Sequence, residues 1–181
     1  MKIMFVHQNM PGQYRELVQW LAGTGDHQIY FLTQRKAAPS FEGVQTRVYE
    51  PHHKPADNAY GLSKNWEEST GNGLGAARAA RQIEKTEGFK PDIVIGHVGW
   101  GELTFFKEIW KDVPIIGLFE YYYSATGGPV GFDPAERVSE NTPFLLHARN
   151  AVPLANIETV DMGLSPTFWQ RDRFPQSFHR K

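Results

Sequence analysis

The chain reads as an α/β protein: a Rossmann-like open, mainly parallel sheet with helices on both faces. Three observations predict this. Segments with strand character and segments with helical periodicity alternate along the 181 residues. Several of the strand-like runs, "KIMFV" and "PDIVI" among them, are continuously apolar, as strands buried on both faces are. Unusual loops follow His7, Ile95 and Phe119, all at the ends of strands, where open α/β sheets gather their ligands.

Each element has its own signal. "KIMFVH" (2–7) is short and apolar and leads into the loop "QNMPG". In "QYRELVQWLAGTG", Tyr14, Leu17, Val18 and Leu21 fall at helical spacing, and Gly23 and Gly25 supply the stop. "HQIYFLT" (27–33) and "VQTRVYE" (44–50) read as the second and third strands, with "PHHKPADNAYG" as loop after them. A helix is expected from near Asn65 or Gly71 to Gly88. "PDIVIGH" (91–97) is the cleanest buried strand, "ELTFFKEIWKD" (102–112) a helix, and "VPIIGLFE" (113–120) the next strand. The loop "SATGGPVGFDP" follows, then helix around "ENTPFLLHARNAV", a strand in "IETVDMG", and a short helix in "SPTFWQRDRFP" that Pro175 should end.

Composition narrows the function classes. A hydrophobic share of 40% and a charged share of 22% suit one globular domain with a real core. The net charge of -1 argues against nucleic acid as a partner. With no cysteine, disulfide scaffolds and thiolate metal sites are excluded. The start, "MKIMFVHQN", is too short in apolar residues for a signal peptide, and no run approaches a membrane span. A soluble, cytoplasmic chain is the expectation.

The candidate sites lie at the strand ends. In "HQNMPGQY", Gly12 and Gln13 stand just before a helix, where backbone amides can face an anion; a plain strand-to-helix turn would need the same glycine. His7 reads as packing or hydrogen bonding rather than catalysis. "HVGWGE" carries more. His97 ends a buried strand at the ligand edge, Gly99 and Gly101 permit close backbone approach, Trp100 offers an apolar plate, and Glu102 should open the next helix. From the neighbouring strand, "FEYYY" adds Glu120 and Tyr121: a carboxylate to accept sugar hydroxyls and a ring to cover a sugar face. At least one tyrosine of the three should merely pack.

Other motifs fail. "GNGLGAA" (71–77) fits a loose dinucleotide pattern but follows "LSKNWEEST" instead of a buried strand, and reads as the flexible start of a helix. There is no P-loop and no G-x-S-x-G elbow. His52 and His53 are adjacent and should diverge, so no metal site is expected.

Taken in order, "MKIMFVHQNMPGQY", "HVGWGE", "FEYYY" and "SPTFWQRDRFP" resemble the amino-terminal domain of family-4 glycosyltransferases, enzymes of GT-B architecture with two facing Rossmann-like domains. Val98 departs from the proline associated with its place in that family. The resemblance implies that residues 1–181 form one domain, the acceptor-side half, and that the carboxy-terminal nucleotide-sugar domain is absent from this chain. It implies a nucleotide-sugar donor as co-substrate, a saccharide or lipid-linked acceptor, no other cofactor and no bound metal. It assigns His97 to the reacting centre, the Gly12 loop to the leaving diphosphate, and Glu102 and Glu120 to orienting acceptor hydroxyls or bracing the His97 loop.

Two rivals stay open. A stand-alone Rossmann-like module would bind a nucleotide or sugar without turnover; it should cover its last helix, where a severed half should expose apolar surface near Phe168, Trp169 and Phe174. A dehydrogenase or methyltransferase domain is disfavoured by the missing glycine fingerprint. The tail "RDRFPQSFHRK", with four Arg/Lys against one Asp, is a solvated connector or a weak contact to acidic membrane headgroups.

Overall fold

In the computed structural model, which describes residues 1–133, 135 and 138–180, the apolar runs become the strands β1 (Lys2–Val6), β2 (Gln28–Thr33), β3 (Val44–Val48), β4 (Ile93–His97), β5 (Ile115–Leu118) and β6 (Met162–Leu164). All pair in parallel, in the order β3-β2-β1-β4-β5-β6. The central strands β1 and β4 run apolar over residues 3–6 and 93–95 because both faces are covered. Met4 and Val6 of β1 join one core cluster, Ile3 and Phe5 the other. Burying side chains of this size contributes ~1.5–3 kcal/mol each, and Phe5 and Phe31 have no exposed surface.

One face is covered by α1 (Arg15–Gly23), whose Val18 packs with Phe5, Phe31 and Ile95. The other is covered by the long helix α2 (Gly61–Glu87), with Ala76, Ala80 and Ile83 against Met4, Val6 and Leu32. The short helix α3 (Phe106–Ile109) adds Phe106 to the second face. α4 (Thr142–Arg149) and α5 (Ala151–Thr159) follow β5, and α6 (Phe168–Arg171) follows β6. Strand order reverses between β1 and β4, and a sheet of this kind opens its ligand crevice beyond the carboxyl ends at that point.

Four expectations need correction. α2 begins at Gly61, so "GNGLGAA" is helix interior and buried. Its glycines serve close packing: a Cβ on Gly71 would stand 2.1 Å from the His53 carbonyl oxygen, and one on Gly75 2.3 Å from that of Glu50. The helix expected over 102–112 shrinks to α3, because Gly101 turns the chain through a left-handed conformation (φ 79°) and Glu102 dives into the core. Residues 157–159 belong to α5, leaving only Met162–Leu164 as strand. α6 stops at Arg171, four residues before Pro175, which instead accepts from the Phe178 N–H in the following 3-10 turn.

At the tail, Phe168 is 76% and Trp169 49% exposed, whereas Phe174 is buried against Phe119. Arg171 pairs with Asp172 at 2.7 Å, and Arg173 lies over the Trp169 ring. The ends of two quoted stretches, Pro134 and Lys181, lie outside the described residues.

Candidate active site

The parallel register sets the site. Val6 pairs with Gly96, so the next residues, His7 and His97, emerge side by side at the crossover. Their rings stand edge to face with centroids 5.7 Å apart. One strand over, Leu118 pairs with His97, and the chain leaves β5 through Phe119 to Glu120. Three loops far apart in sequence thus meet at one edge.

They meet through hydrogen bonds. His97 Nδ1 accepts the Gly99 N–H at 2.9 Å, so the neutral ring carries its proton on Nε2. Nε2 then donates to Glu120 Oε2 at 3.0 Å. Burial lowers the His97 pKa from its ordinary value, while Glu120 pulls it back up through the hydrogen bond and its charge. The result is a neutral imidazole used as a donor. The same Glu120 oxygen accepts from Gln13 Nε2 at 3.2 Å, which ties the loop after β1 to the end of β5.

Glycine is required at two places because a histidine ring fills the space of a side chain. A Cβ on Gly12, whose φ is +53°, would stand 2.9 Å from His7 Nε2. One on Gly99 would stand 2.8 Å from His97 Cε1. His7 itself accepts the Asn9 N–H on Nδ1 at 3.0 Å, and its buried Nε2 lies toward the side chain of Gln13, which, against the effects of burial and His97, raises the ring's pKa. Burial and then the neighbouring His97 push its pKa down to about 4, so it too is neutral. The buried Tyr14 hydroxyl close by has no partner among the described residues, and burial followed by the charges of Glu102 and Glu120 pushes its pKa up.

The remaining predicted residues divide. Trp100 is half-buried with its ring 6.2 Å from that of His97. Tyr121 is exposed and stacks on Tyr123 at 6.3 Å, whereas Tyr122 is the one that packs, against Phe174. Glu102 departs from expectation: it neither opens a helix nor faces the crevice, but is fully buried and accepts from the Tyr49 hydroxyl. Sequence reasoning gives His7 to packing or hydrogen bonding, in line with its bond from Asn9, but carries no reading of Tyr49, Gln34 or Asn72. The edge rule could have found Gln34, one residue past β2; Asn72 sits inside a helix and carried no signal.

Away from the crossover, a cavity of about 300 Å³ lined by Phe119, Leu164, Phe168, Phe174 and Phe178 lies beyond the end of β6. The adjacent histidines diverge: His53 pairs with Glu67 at 2.6 Å and His52 takes Arg78 at 2.8 Å. No helix among the described residues is long and apolar enough to cross a membrane.

An all-parallel sheet with this strand order and helices on both faces defines a domain of the Rossmann type. The chain belongs to the glycosyl transferase family 4 group, whose sequence profile matches residues 25–181. Its fold is that of solved GT-B glycosyltransferases. A form of Os79 from O. sativa, solved with UDP, superposes with a TM-score of 0.56 at 10% identity over 99% of this chain and 50% of its own. UGT2 of Phytolacca americana, solved with UDP-2fluoro-glucose and pterostilbene, gives 0.54 at 12% identity over 92% of this chain and 48% of its own. A UDP-glucose: anthocyanidin 3-O-glucosyltransferase in complex with UDP gives 0.51 at 11% identity over 92% and 47%. At such identities the likeness is one of fold. The chain spans about half the length of these structures. No curated protein matches the sequence.

Proposed function

We propose that this domain forms the acceptor-side wall of a glycosyl-transfer cleft, closed in the whole enzyme by a second, nucleotide-sugar-binding domain. The observation that carries this is the meeting of Gln13, His97 and Glu120 at the β1/β4 crossover, held by hydrogen bonds of 3.2 and 3.0 Å to one carboxylate oxygen. In the reaction an acceptor hydroxyl oxygen bonds to the anomeric carbon of a nucleotide-sugar, and its O–H bond breaks, the proton passing to the departing diphosphate. The bond from that carbon to the diphosphate breaks, and the electron pair leaves with the diphosphate. Such a step needs an oriented nucleophile and stabilised charge on the leaving group.

The residues suit these tasks. Neutral His97, its tautomer fixed by Gly99, offers Nε2–H to a sugar oxygen in place of Glu120. Glu120, released from that bond, accepts from an acceptor hydroxyl while Gln13 still holds it. Trp100 and Tyr121 present rings to the apolar faces of sugars. The turn at Gly12 and Gln13 is assigned to the leaving diphosphate, because it stands at the same strand edge as His97 and Glu120. The acceptor is a saccharide or a lipid-linked sugar, and no cofactor beyond the nucleotide-sugar enters the scheme.

The test is a turnover assay of this chain with a panel of nucleotide-sugars and saccharide acceptors. The expected result is no transfer, or barely any, because the proposed cleft needs a second wall. Clear multiple turnover by the chain alone would contradict the division into two halves.

A further inference from the structure

Beneath the crossover lies an acid that the transfer chemistry leaves unused. Glu102 follows the left-handed Gly101 and has no exposed surface. The Tyr49 hydroxyl, one residue past β3, donates to its Oε1, and its Oε2 has no hydrogen-bond partner among the described residues. The Gln34 side-chain amide donates to the Tyr49 oxygen at 3.0 Å and to Asn72 Oδ1 at 2.9 Å. Asn72, buried within α2, donates in turn to the Trp100 carbonyl at 3.1 Å. The line of hydrogen bonds leaves the acid, passes the ends of β3 and β2, crosses to α2, and returns to the turn that carries His97 and Trp100.

Two close approaches stiffen this line. A Cβ on Gly101 would stand 2.5 Å from the Ser69 carbonyl oxygen, and one on Gly73 2.5 Å from the Gly101 carbonyl oxygen. Helix α2 and the turn therefore meet backbone to backbone, with no flexible side chain between them to absorb a shift.

We propose that Glu102 is a positioning residue that, through Tyr49, Gln34 and Asn72, fixes the Trp100 carbonyl and with it the His97–Trp100 turn. Its meaning for sugar transfer rests on the crossover being the transfer site; the coupling itself does not. Burial keeps the acid protonated up to about pH 8, against the single opposing effect of the Tyr49 hydrogen bond. Ionisation puts a negative charge beside Tyr49 with no cation among these partners, and the line must rearrange to solvate it. The other titratable groups around it keep their state through that change. Tyr49 from the end of β3 and Tyr14 from the turn before α1 are pushed up by burial and by Glu102, and Tyr14 by Glu120 as well. On the strand ends, His7 is pushed down to about 4, and burial holds His97 below its ordinary value.

The experiment is fluorine NMR of the chain labelled with 5-fluorotryptophan, the Trp100 resonance being assigned by its loss in Trp100→Phe. It is titrated from about pH 6 to about pH 10, with no sugar or nucleotide present. The Trp100 resonance should show a step centred near pH 8 that vanishes in Glu102→Gln. In Asn72→Ala, which keeps the acid but cuts the line, the step should be lost or strongly reduced. A Trp100 resonance that stays flat in the unsubstituted chain, or a step that survives Glu102→Gln or Asn72→Ala undiminished, overturns the proposal. If Glu102→Gln does not fold, the unsubstituted chain and Asn72→Ala still decide. A flat titration counts against the relay alone, whereas failure to handle nucleotide-sugars counts against the transfer site alone.

Discussion

Replacing Glu102 by glutamine should remove a large pH dependence of this domain's stability between about pH 5 and pH 8. The folded chain holds the Glu102 proton up to about pH 8, whereas the ordinary value is 4.5. Between those values the folded state carries one proton more than the unfolded state, so stability falls as pH rises and levels off above the upper one. At about 1.4 kcal/mol per pH unit, the interval amounts to ~5 kcal/mol as an upper bound. Glutamine keeps an oxygen for the Tyr49 hydroxyl and never ionises. Urea unfolding followed by tryptophan fluorescence, at steps from pH 5 to pH 9, gives the stability of each form, and subtracting the two cancels every other titrating group. The gap should be near zero at about pH 5 and should favour the variant by several kcal/mol at about pH 8. Two curves running parallel across that range would refute the reasoning, since an exposed or well-paired Glu102 would behave so.

Further outcomes follow from the same geometry. Gly12→Ala forces alanine to φ +53° and sets its Cβ 2.9 Å from the His7 ring; it should destabilise by ~1–3 kcal/mol in urea unfolding. Gly23→Ala, with nothing within 4 Å of the new Cβ, should change stability by about 0.5 kcal/mol or less. Gly75→Ala pushes a Cβ to 2.3 Å from the Glu50 carbonyl oxygen and should lose ~3 kcal/mol by the same measurement. In an enzyme that carries both halves of the cleft, His97→Ala should lower transfer at least about tenfold, or ~1.4 kcal/mol, with its circular dichroism spectrum unchanged. Near-normal transfer would leave His97 a structural role only.

Much of the sheet was legible because its strands are covered on both faces, which forces unbroken apolar runs such as "IMFV" and "IVI". The meeting of Gln13, His97 and Glu120 was legible for a related reason: in a parallel sheet all carboxyl ends share one edge, so residues that leave β1, β4 and β5 must be neighbours. Glu102 was misplaced at a helix start because its position depends on Gly101, whose left-handed turn sends the side chain inward before α3 begins. The glycines of "GNGLGAA" were misread because their reason lies in the backbone of residues 50 and 53, which only the folded chain brings against α2. Tyr49, Gln34 and Asn72 join through tertiary contacts that no local pattern encodes.

The central claim is that the strand ends at the crossover form a wall that handles sugars. It is tested most directly by amide NMR of the isotopically labelled chain, titrated with nucleotide-sugars and saccharide acceptors. Shifts from at least one ligand should concentrate at Gly12, Gln13, His97, Gly99, Trp100 and Glu120, and should weaken in His97→Ala. Shifts confined to other parts of the surface, or none at these residues with any ligand, would contradict the account.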